Sequence, residues 1–205
     1  MEHHFGRGRP YSLGVEEEFQ LVSSESFELV SRVDEILSEV EDEDEHEGRV
    51  KPELLQSVVE VATNVAGSVD EAMEDLRGLR ARLRDAAAER DALIASAGTH
   101  PFSRHEHQEV TERPRYQELA EDIRWVAERE LIFGLHVHVG VDSPETAIAC
   151  TNGVRTFLPE LLALSANSPF WQARPTGLAS TRVKIFDMFP RSGLPPAFSS
   201  WAEFE

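Results

Sequence analysis

The sequence contains a single cysteine, Cys150, among 205 residues. One thiol excludes an internal disulfide framework and a cysteine-rich zinc site. Cys150 stands in the segment ETAIACTNGV, whose composition predicts a helix. We therefore expect it to be a small buried apolar side chain rather than a nucleophile.

Long apolar runs are also missing from the chain. No stretch approaches the roughly 18 residues of a membrane-spanning helix, and the opening MEHHFGRGRP lacks the apolar centre of a signal peptide. The expectation is a soluble, cytoplasmic protein with no membrane partner.

Basic residues are in short supply, since 20 lysines and arginines face 38 aspartates and glutamates, giving a formal net charge of -18. This balance argues against a nucleic-acid partner, because phosphate-binding surfaces cluster Lys and Arg. The acidic run EDEDEHEG at 41–48 predicts a solvated loop.

The motifs of several large enzyme classes are absent as well. The sequence has no HExxH pattern of zinc proteases and no P-loop. It also lacks the GxGxxG pattern of Rossmann folds and the GxSxG pattern of α/β-hydrolases, so nothing in the sequence supports assignment to these four classes. Forty per cent of the residues are hydrophobic, which is enough for a sizeable core.

What the sequence does contain is a strand-like segment with three glutamates, SLGVEEEFQLV at 12–22. Period-two alternation divides its side chains between two faces. One face carries Leu13, Val15, Glu17, Phe19 and Leu21, and the other carries Gly14, Glu16, Glu18 and Gln20. Glu16 and Glu18 then point the same way, about 7 Å apart, and stay ionised together only with a cation or basic groups between them. Glu17 is expected to serve packing or a salt bridge.

A second strand-like segment, LIFGLHVHVGV at 131–141, repeats this spacing with histidines. Its alternation predicts core positions at Leu131, Phe133, Leu135, Val137 and Val139. His136 and His138 share the opposite face with Gly134 and Gly140, which leave room for a ligand close to the backbone.

Glu60 adds a third carboxylate from another predicted strand, VKPELLQSVVEVAT, which has Glu53 near its start. Mg²⁺ takes oxygen ligands and Mn²⁺ also accepts imidazole, so these segments predict a divalent-metal site. The alternative is the solvent face of an amphipathic antiparallel sheet. His100, His105 and His107, in a polar loop without a matching ligand pattern, are expected to be solvated.

The clearest helix is predicted between Ser68, which can cap it with Glu71 three residues on, and Gly98. We interpret its apolar stripe as core packing; the stripe comprises Ala72, Leu76, Leu79, Leu83 and Ala87. Further helices are predicted within SFELVSRVDEILSEV, from Pro114 through PRYQELAEDIRWVAERE, and from Pro144. The segment RPTGLASTRVKIFDMFPRSGLPPAF predicts a loop followed by a short extended piece.

Six segments together resemble the bacterial carboxylate–amine ligases of the glutamate–cysteine ligase type 2 family. They are SLGVEEEFQLV, ELLQSVVEVAT, AGTHPF, GLHVHVGV, LPELLALSANSPFW and GLASTRVKIFDMFPRSGLP, in family order from residue 11 to 197. The resemblance implies an α+β, glutamine synthetase-like fold, with a curved antiparallel β-sheet funnel and helices packed outside. It also implies one catalytic domain across 1–205 that is truncated at its C-terminus, because family members are usually much longer.

The resemblance implies an ATP-dependent ligase with Mg²⁺, or Mn²⁺, as cofactor. ATP would phosphorylate the γ-carboxylate of glutamate, and the α-amine of cysteine would attack the acyl phosphate to give γ-glutamylcysteine for glutathione biosynthesis. A catalytically incomplete fragment that binds metal, nucleotide or only a partner subunit is the alternative. Another pair of amino-acid substrates and a homo-oligomer also stay open.

Matching positions transfer the family's roles onto this sequence. The implied metal ligands are Glu16, Glu18, Glu60, His136 and, as a further candidate, Glu53. His138 is implied to face the nucleotide phosphates. Arg182 is implied to contact the transferred phosphate or the glutamate carboxylate, which a guanidinium can bind in bidentate fashion. Arg174 is a further candidate for nucleotide binding, against the alternative of an ordinary surface arginine.

Overall fold

The computed structural model describes residues 4–41 and 49–205. Of the acidic run at 41–48, predicted as a loop, Glu41 is the last residue of a helix and residues 42–48 lie outside the described part of the chain. Five strands form one antiparallel sheet: β1 (Leu13–Ser23), β2 (Val50–Pro52), β3 (Val58–Ala62), β4 (Ala92–Ala95) and β5 (Leu135–Val139). Two short strands pair separately: β6 (Phe170–Trp171) and β7 (Arg174–Pro175). The α-helices are α1 (Val33–Glu41), α2 (Val69–Ala88), α3 (Pro114–Ile123), α4 (Trp125–Arg129), α5 (Pro144–Val154), α6 (Leu158–Ser165), α7 (Arg182–Phe186) and α8 (Trp201–Phe204).

Strand β1 is the centre of the sheet. One edge of it pairs with β3, which in turn pairs with β2. The other edge pairs with β5 over Leu13–Glu17 and with β4 over Gln20–Ser23. The glutamate segment, the Glu60 segment and the histidine segment therefore meet on neighbouring strands.

Helices α1 and α2 pack on one face of this sheet and enclose the main core. The buried side chains are Phe19, Leu21, Val33, Ile36, Leu37, Val59, Val61, Leu76, Leu79, Leu83, Ala86, Ala87 and Ala92. The predicted stripe of α2 is confirmed as core, because all five of its members are buried. Ser68 caps α2 as predicted, since its hydroxyl accepts a hydrogen bond from the Glu71 backbone amide.

The predicted extent of α2 was wrong. The helix ends at Ala88, Asp91 turns the chain with a φ of 52°, and Ala92–Ala95 form β4. Short apolar runs fit either a helix or a buried strand by periodicity. Hydrogen bonds to β1, which lies some 70 residues away in sequence, select the strand.

Two other predicted elements also differ from the structure. The helix starting at Pro114 breaks at Arg124, whose φ is 42°, so that α3 and α4 are separate. The segment RPTGLASTRVKIFDMFPRSGLPPAF, predicted as a loop followed by a short extended piece, contains the short helix α7. Helices α1 and α5 occur where they were predicted, and Ser143 caps α5 with Pro144 in the first turn.

The periphery of the sheet is more exposed than the sequence predicted. Leu131 and Phe133 are buried in a second cluster, but Leu135, Val137 and Val139 are more than half exposed, because α1 and α2 do not extend over β5. Cys150, predicted to be buried, is exposed, since α5 buries Ile148 alone.

Within the described ranges no helix is long and apolar enough to cross a membrane.

Candidate active site on the polar face of the sheet

Alternation along β1 separates the three glutamates as predicted. Glu17 faces α2, where it is buried and accepts two hydrogen bonds from Arg80. Glu16 lies opposite His136 of β5, and Glu18 lies opposite Glu60 of β3. The predicted salt bridge of Glu17 is confirmed, and Glu16 and Glu18 share the face that α1 and α2 leave uncovered.

Glu16 forms a small group with the two histidines of β5. Its Oε2 atom is 3.2 Å from Nδ1 of His136 and 3.1 Å from Nε2 of His138. Partial burial acts to raise the pKa of Glu16, but hydrogen bonds with His138 and His136 outweigh it and lower this pKa. Glu16 is therefore held as a carboxylate between two imidazoles.

Glu18 is more deeply enclosed. Its Oε2 accepts a hydrogen bond of 2.6 Å from the Gly134 amide. Burial nevertheless raises the pKa of Glu18, against the lowering influence of that amide, His136 and Arg182. A cation near Glu18 would compensate for the lost solvation.

Glu53 and Glu60 lie close together next to Glu18. Burial, with the charges of Glu60 and Glu18, raises the pKa of Glu53 to about 7. Lys51 of β2 donates a 2.6 Å hydrogen bond to Glu60, which is buried. The carboxyl groups of Glu18, Glu53 and Glu60 thus lie close together, and the ammonium group of Lys51 offsets part of their negative charge.

Two cavities open on this face, with volumes of about 340 Å³ and 630 Å³. Both are lined by Glu18, His136, Arg182 and Phe186, which form the wall between them. The smaller cavity also contacts Glu53, and the larger one extends towards α6. Three of the predicted site residues therefore stand where two bound molecules could meet.

Arg182 reaches this wall from α7. Its Nε donates a 2.7 Å hydrogen bond to the Phe133 carbonyl, and its backbone amide donates to the Ser168 hydroxyl. A side chain on Gly98 would come within 3.2 Å of the Arg182 Cδ atom. The guanidinium is thus held by a hydrogen bond to Phe133, two residues before the strand that carries the histidines.

The structure brings together seven of the predicted site residues and places Arg174 apart from them; the seven are Glu16, Glu18, Glu53, Glu60, His136, His138 and Arg182. His138 contacts Glu16 but lines neither cavity, and its side chain is 63% exposed. Arg174 is exposed on β7 and also lines neither cavity.

The loop histidines required a correction as well. His107 is exposed as expected, whereas His100 and His105 are buried, so the prediction of solvated side chains was wrong for both. His100 lies between the Phe27 carbonyl and the Ser103 amide, which lie 3.0 Å and 2.9 Å from its ring nitrogens. The Ser103 amide belongs to the same loop, but the Phe27 carbonyl lies 73 residues away in sequence, which the local sequence does not reveal.

Three further residues of the site escaped the sequence analysis. Lys51 pairs with Glu60, Tyr116 donates a 2.9 Å hydrogen bond to the Pro52 carbonyl beside Glu53, and Glu130 lines the smaller cavity. Glu130 belongs to the charged stretch AERE at the end of α4, which carries no signal that separates it from ordinary surface residues.

The donor set fits a divalent cation. Glu18, Glu53 and Glu60 offer the carboxylate oxygens that Mg²⁺ prefers, and Glu16 with His136 offers the oxygen and nitrogen that Mn²⁺ also accepts. In the described part of the chain, no three such side chains already stand in a metal-binding arrangement. Lys51 and the Gly134 amide take up some of the carboxylate oxygens instead.

Comparison with known sequences gives a consistent result. The profile of glutamate-cysteine ligase family 2 matches residues 12–205. A Rubrobacter xylanophilus protein provisionally named glutamate–cysteine ligase 2-1 is 52% identical over 195 residues, which cover 95% of this chain and 51% of the relative. A Solibacter usitatus protein, provisionally named glutamate–cysteine ligase 2, is 45% identical over 202 residues, with 95% and 50% coverage. The chain spans about half the length of the curated relatives it matches.

Solved structures share the fold at low sequence identity. The glutamate–cysteine ligase of Francisella tularensis in complex with AMP superposes on 85% of this chain and 42% of its own, with a TM-score of 0.62 and 14% identity. A bifunctional glutathione synthetase from Pasteurella multocida covers 78% of this chain and 24% of its own, with a TM-score of 0.58 and 15% identity. The predicted α+β fold class is confirmed.

Proposed function

The chain belongs to glutamate-cysteine ligase family 2, and from this membership we propose that the protein is an ATP-dependent carboxylate–amine ligase. An oxygen of the glutamate γ-carboxylate attacks the γ-phosphorus of ATP, so that ADP leaves and a γ-glutamyl phosphate forms. The amine of cysteine then attacks the acyl carbon. The carbon–nitrogen bond forms, the amine loses a proton, and the carbon–oxygen bond to phosphate breaks to give γ-glutamylcysteine and phosphate.

The observation that carries this proposal is the shared wall of the two cavities. Glu18, His136 and Arg182 line both. Phosphoryl transfer and acyl transfer each need two molecules whose reacting atoms meet in one place with fixed charges around them. Two adjacent cavities with a carboxylate, an imidazole and a guanidinium between them suit that requirement.

The proposed roles follow from the contacts. Glu18, Glu53 and Glu60 would hold one Mg²⁺ or Mn²⁺, and Glu16 with His136 supplies further donors. When bound, the cation offsets the negative charge that accumulates on the phosphate oxygens.

Arg182, fixed against Phe133, is proposed to bind the transferred phosphate or the glutamate carboxylate. His138 is proposed to face the nucleotide phosphates. Arg174 stays a weaker proposal for nucleotide contact, since it lies outside both cavities.

The relatives support an adenine nucleotide as one substrate, because the Francisella tularensis ligase is described in complex with AMP. The same proposal includes glutamate and cysteine as the other substrates and a single catalytic domain. It also includes a place in glutathione biosynthesis and a cytoplasmic location.

Release of ADP by the purified protein tests the proposal. We expect release that requires ATP, Mg²⁺ and glutamate together with an amine, and a panel of amines that includes cysteine identifies the acceptor. Omission of glutamate and addition of a chelator are the controls. No release with any amine, alongside retained binding of ATP, would favour the alternative of a catalytically incomplete nucleotide-binding fragment.

A further inference from the structure

The smaller cavity, of about 340 Å³, has walls of three chemical kinds. Carboxyl groups, guanidinium groups, an imidazole and a phenol lie among leucine, isoleucine, valine and phenylalanine side chains. The polar members are Glu18, Glu53, Glu130, Arg115, Arg182, Tyr116 and His136. Opposite charges on an otherwise apolar lining suit a small molecule that itself carries both charges.

Glu130 differs from the other carboxyl groups of this site in having a buried oxygen that no donor reaches. Its Oε1 atom is buried and accepts no hydrogen bond, whereas Glu60 has Lys51 and Glu18 has the Gly134 amide. A buried carboxylate oxygen without a hydrogen-bond partner destabilises the fold. Its presence indicates that a bound ligand supplies the missing donor.

The electrostatic surroundings agree with this interpretation. Burial raises the pKa of Glu130 to about 7, with Arg182 acting to lower it and Glu18 acting to raise it further. The basic neighbour Arg129 is directed elsewhere, with its guanidinium carbon 3.9 Å from the centre of the Trp125 ring. A cationic donor that enters the cavity would meet a carboxyl group whose Oε1 atom has no hydrogen-bond partner.

We propose that Glu130 binds the ammonium group of an α-amino acid held in this cavity, with its carboxylate facing Arg115 or Arg182. The inference rests on the proposed function for its choice of ligand, and Glu130 is then a specificity-determining residue. The amino acid is either the carboxylate donor, glutamate, or the amine acceptor, cysteine. Both present an α-ammonium and an α-carboxylate, and the experiment distinguishes them.

The test measures binding by titration calorimetry with pairs of ligands that differ in the ammonium group. L-glutamate is compared with N-acetyl-L-glutamate, and L-cysteine with N-acetyl-L-cysteine under reducing conditions. We expect the wild-type protein to bind the free form of one pair at least about tenfold more tightly than its acetylated form, because a charge-assisted hydrogen bond is lost on acetylation.

The variant Glu130→Gln is expected to reduce that preference to near unity, since the amide keeps the shape but not the charge. Glu130→Asp should retain part of it. Glu128→Gln is the matched control, because Glu128 lies two residues away on α4, is exposed and lines neither cavity. In the Glu130→Gln variant, one pair of ligands should no longer show tighter binding of the free amino acid than of its acetylated form. That pair identifies the amino acid bound at Glu130.

An unchanged preference in Glu130→Gln, or no preference in the wild-type protein, overturns the inference. Failure of the proposed function is a different result, namely no release of ADP with any amine. If binding depends on Glu130 while no ADP is released, the amino-acid site stands without the ligase activity. With an active enzyme, Glu130→Gln should raise the KM of the same amino acid about tenfold and leave the KM of ATP unchanged.

Discussion

Arg80 of α2 donates two hydrogen bonds to the carboxylate of Glu17, one from Nε at 2.6 Å and one from its terminal nitrogen. This bidentate pair lies on the helix-covered face of β1, opposite the face that carries Glu16 and Glu18. The middle glutamate of the triplet therefore serves the fold, and its two neighbours serve the candidate site.

We expect Arg80→Leu to lower the free energy of unfolding by about 1–2 kcal/mol, because Glu17 would remain buried without a partner. Fully buried pairs cost about 3–5 kcal/mol when broken, but the Arg80 side chain is 39% exposed, so solvent reduces the loss. Urea denaturation measures the change. Arg77→Leu on the same helix breaks the exposed pair with Glu74 and should cost less than about 0.5 kcal/mol. Equal effects of the two substitutions would contradict the structural role of Glu17.

Substitution of the site carboxylates should remove metal-dependent turnover. We expect Glu16→Gln and Glu18→Gln each to reduce Mg²⁺-dependent release of ADP to background, since each loses a charged oxygen donor. Circular dichroism should show the fold intact. Glu25→Gln, in an exposed turn after β1, is the control and should keep the wild-type rate. The metal assignment would be wrong if both site variants kept wild-type rates as well.

Gly134 should tolerate no side chain in an active enzyme. A Cβ atom there would come within 3.2 Å of Arg182 Nη2 and His136 Nε2, and within 3.4 Å of Glu18 Oε2. Displacement of these groups by a few tenths of an ångström should lower kcat about 10- to 100-fold with little change in the melting temperature. Gly153→Ala in α5, where a Cβ atom meets open space, should leave kcat unchanged. A normal kcat for Gly134→Ala would show that these three groups need not be placed so closely.

Stability should fall in mild acid because of His100. Burial lowers the pKa of His100, against a raising influence of the Phe27 carbonyl. Its two ring contacts require one nitrogen to donate and the other to accept, which suits the neutral imidazole. Below about pH 6.5, the usual pKa of histidine, the unfolded chain therefore binds a proton at His100 that the folded protein does not bind.

The contribution of His100 is thus intact above about pH 6.5 and is lost as the pH falls from there through the lowered pKa of the folded state. Urea midpoints measured at intervals between pH 8 and pH 5 should decline over this window. In His100→Gln, whose amide can both donate and accept, the decline should be smaller. The same slope in both proteins would exclude His100 as its source.

The sequence by itself determined the elements that rest on local regularity. Alternation separates Glu17 from Glu16 and Glu18 because the side chains of a pleated strand point to opposite faces in turn. The 3.6-residue spacing identified the buried stripe of α2, and Ser68 marked its start. The pairs Glu16 with Glu18 and His136 with His138 also came from local spacing within single strands.

Tertiary structure decided everything that depends on contacts between distant segments. Pairing with β1 made Ala92–Ala95 a strand instead of a helical turn, and the distant Phe27 carbonyl accounts for one ring contact of the buried His100. Lys51 and Glu130 joined the site only through folding. Hydrogen bonds and packing between residues far apart in the chain outweigh the local propensity for helix or strand. A short stretch of sequence carries no information about these contacts. Alternation could assign a face to each side chain, but it could not say what would cover that face.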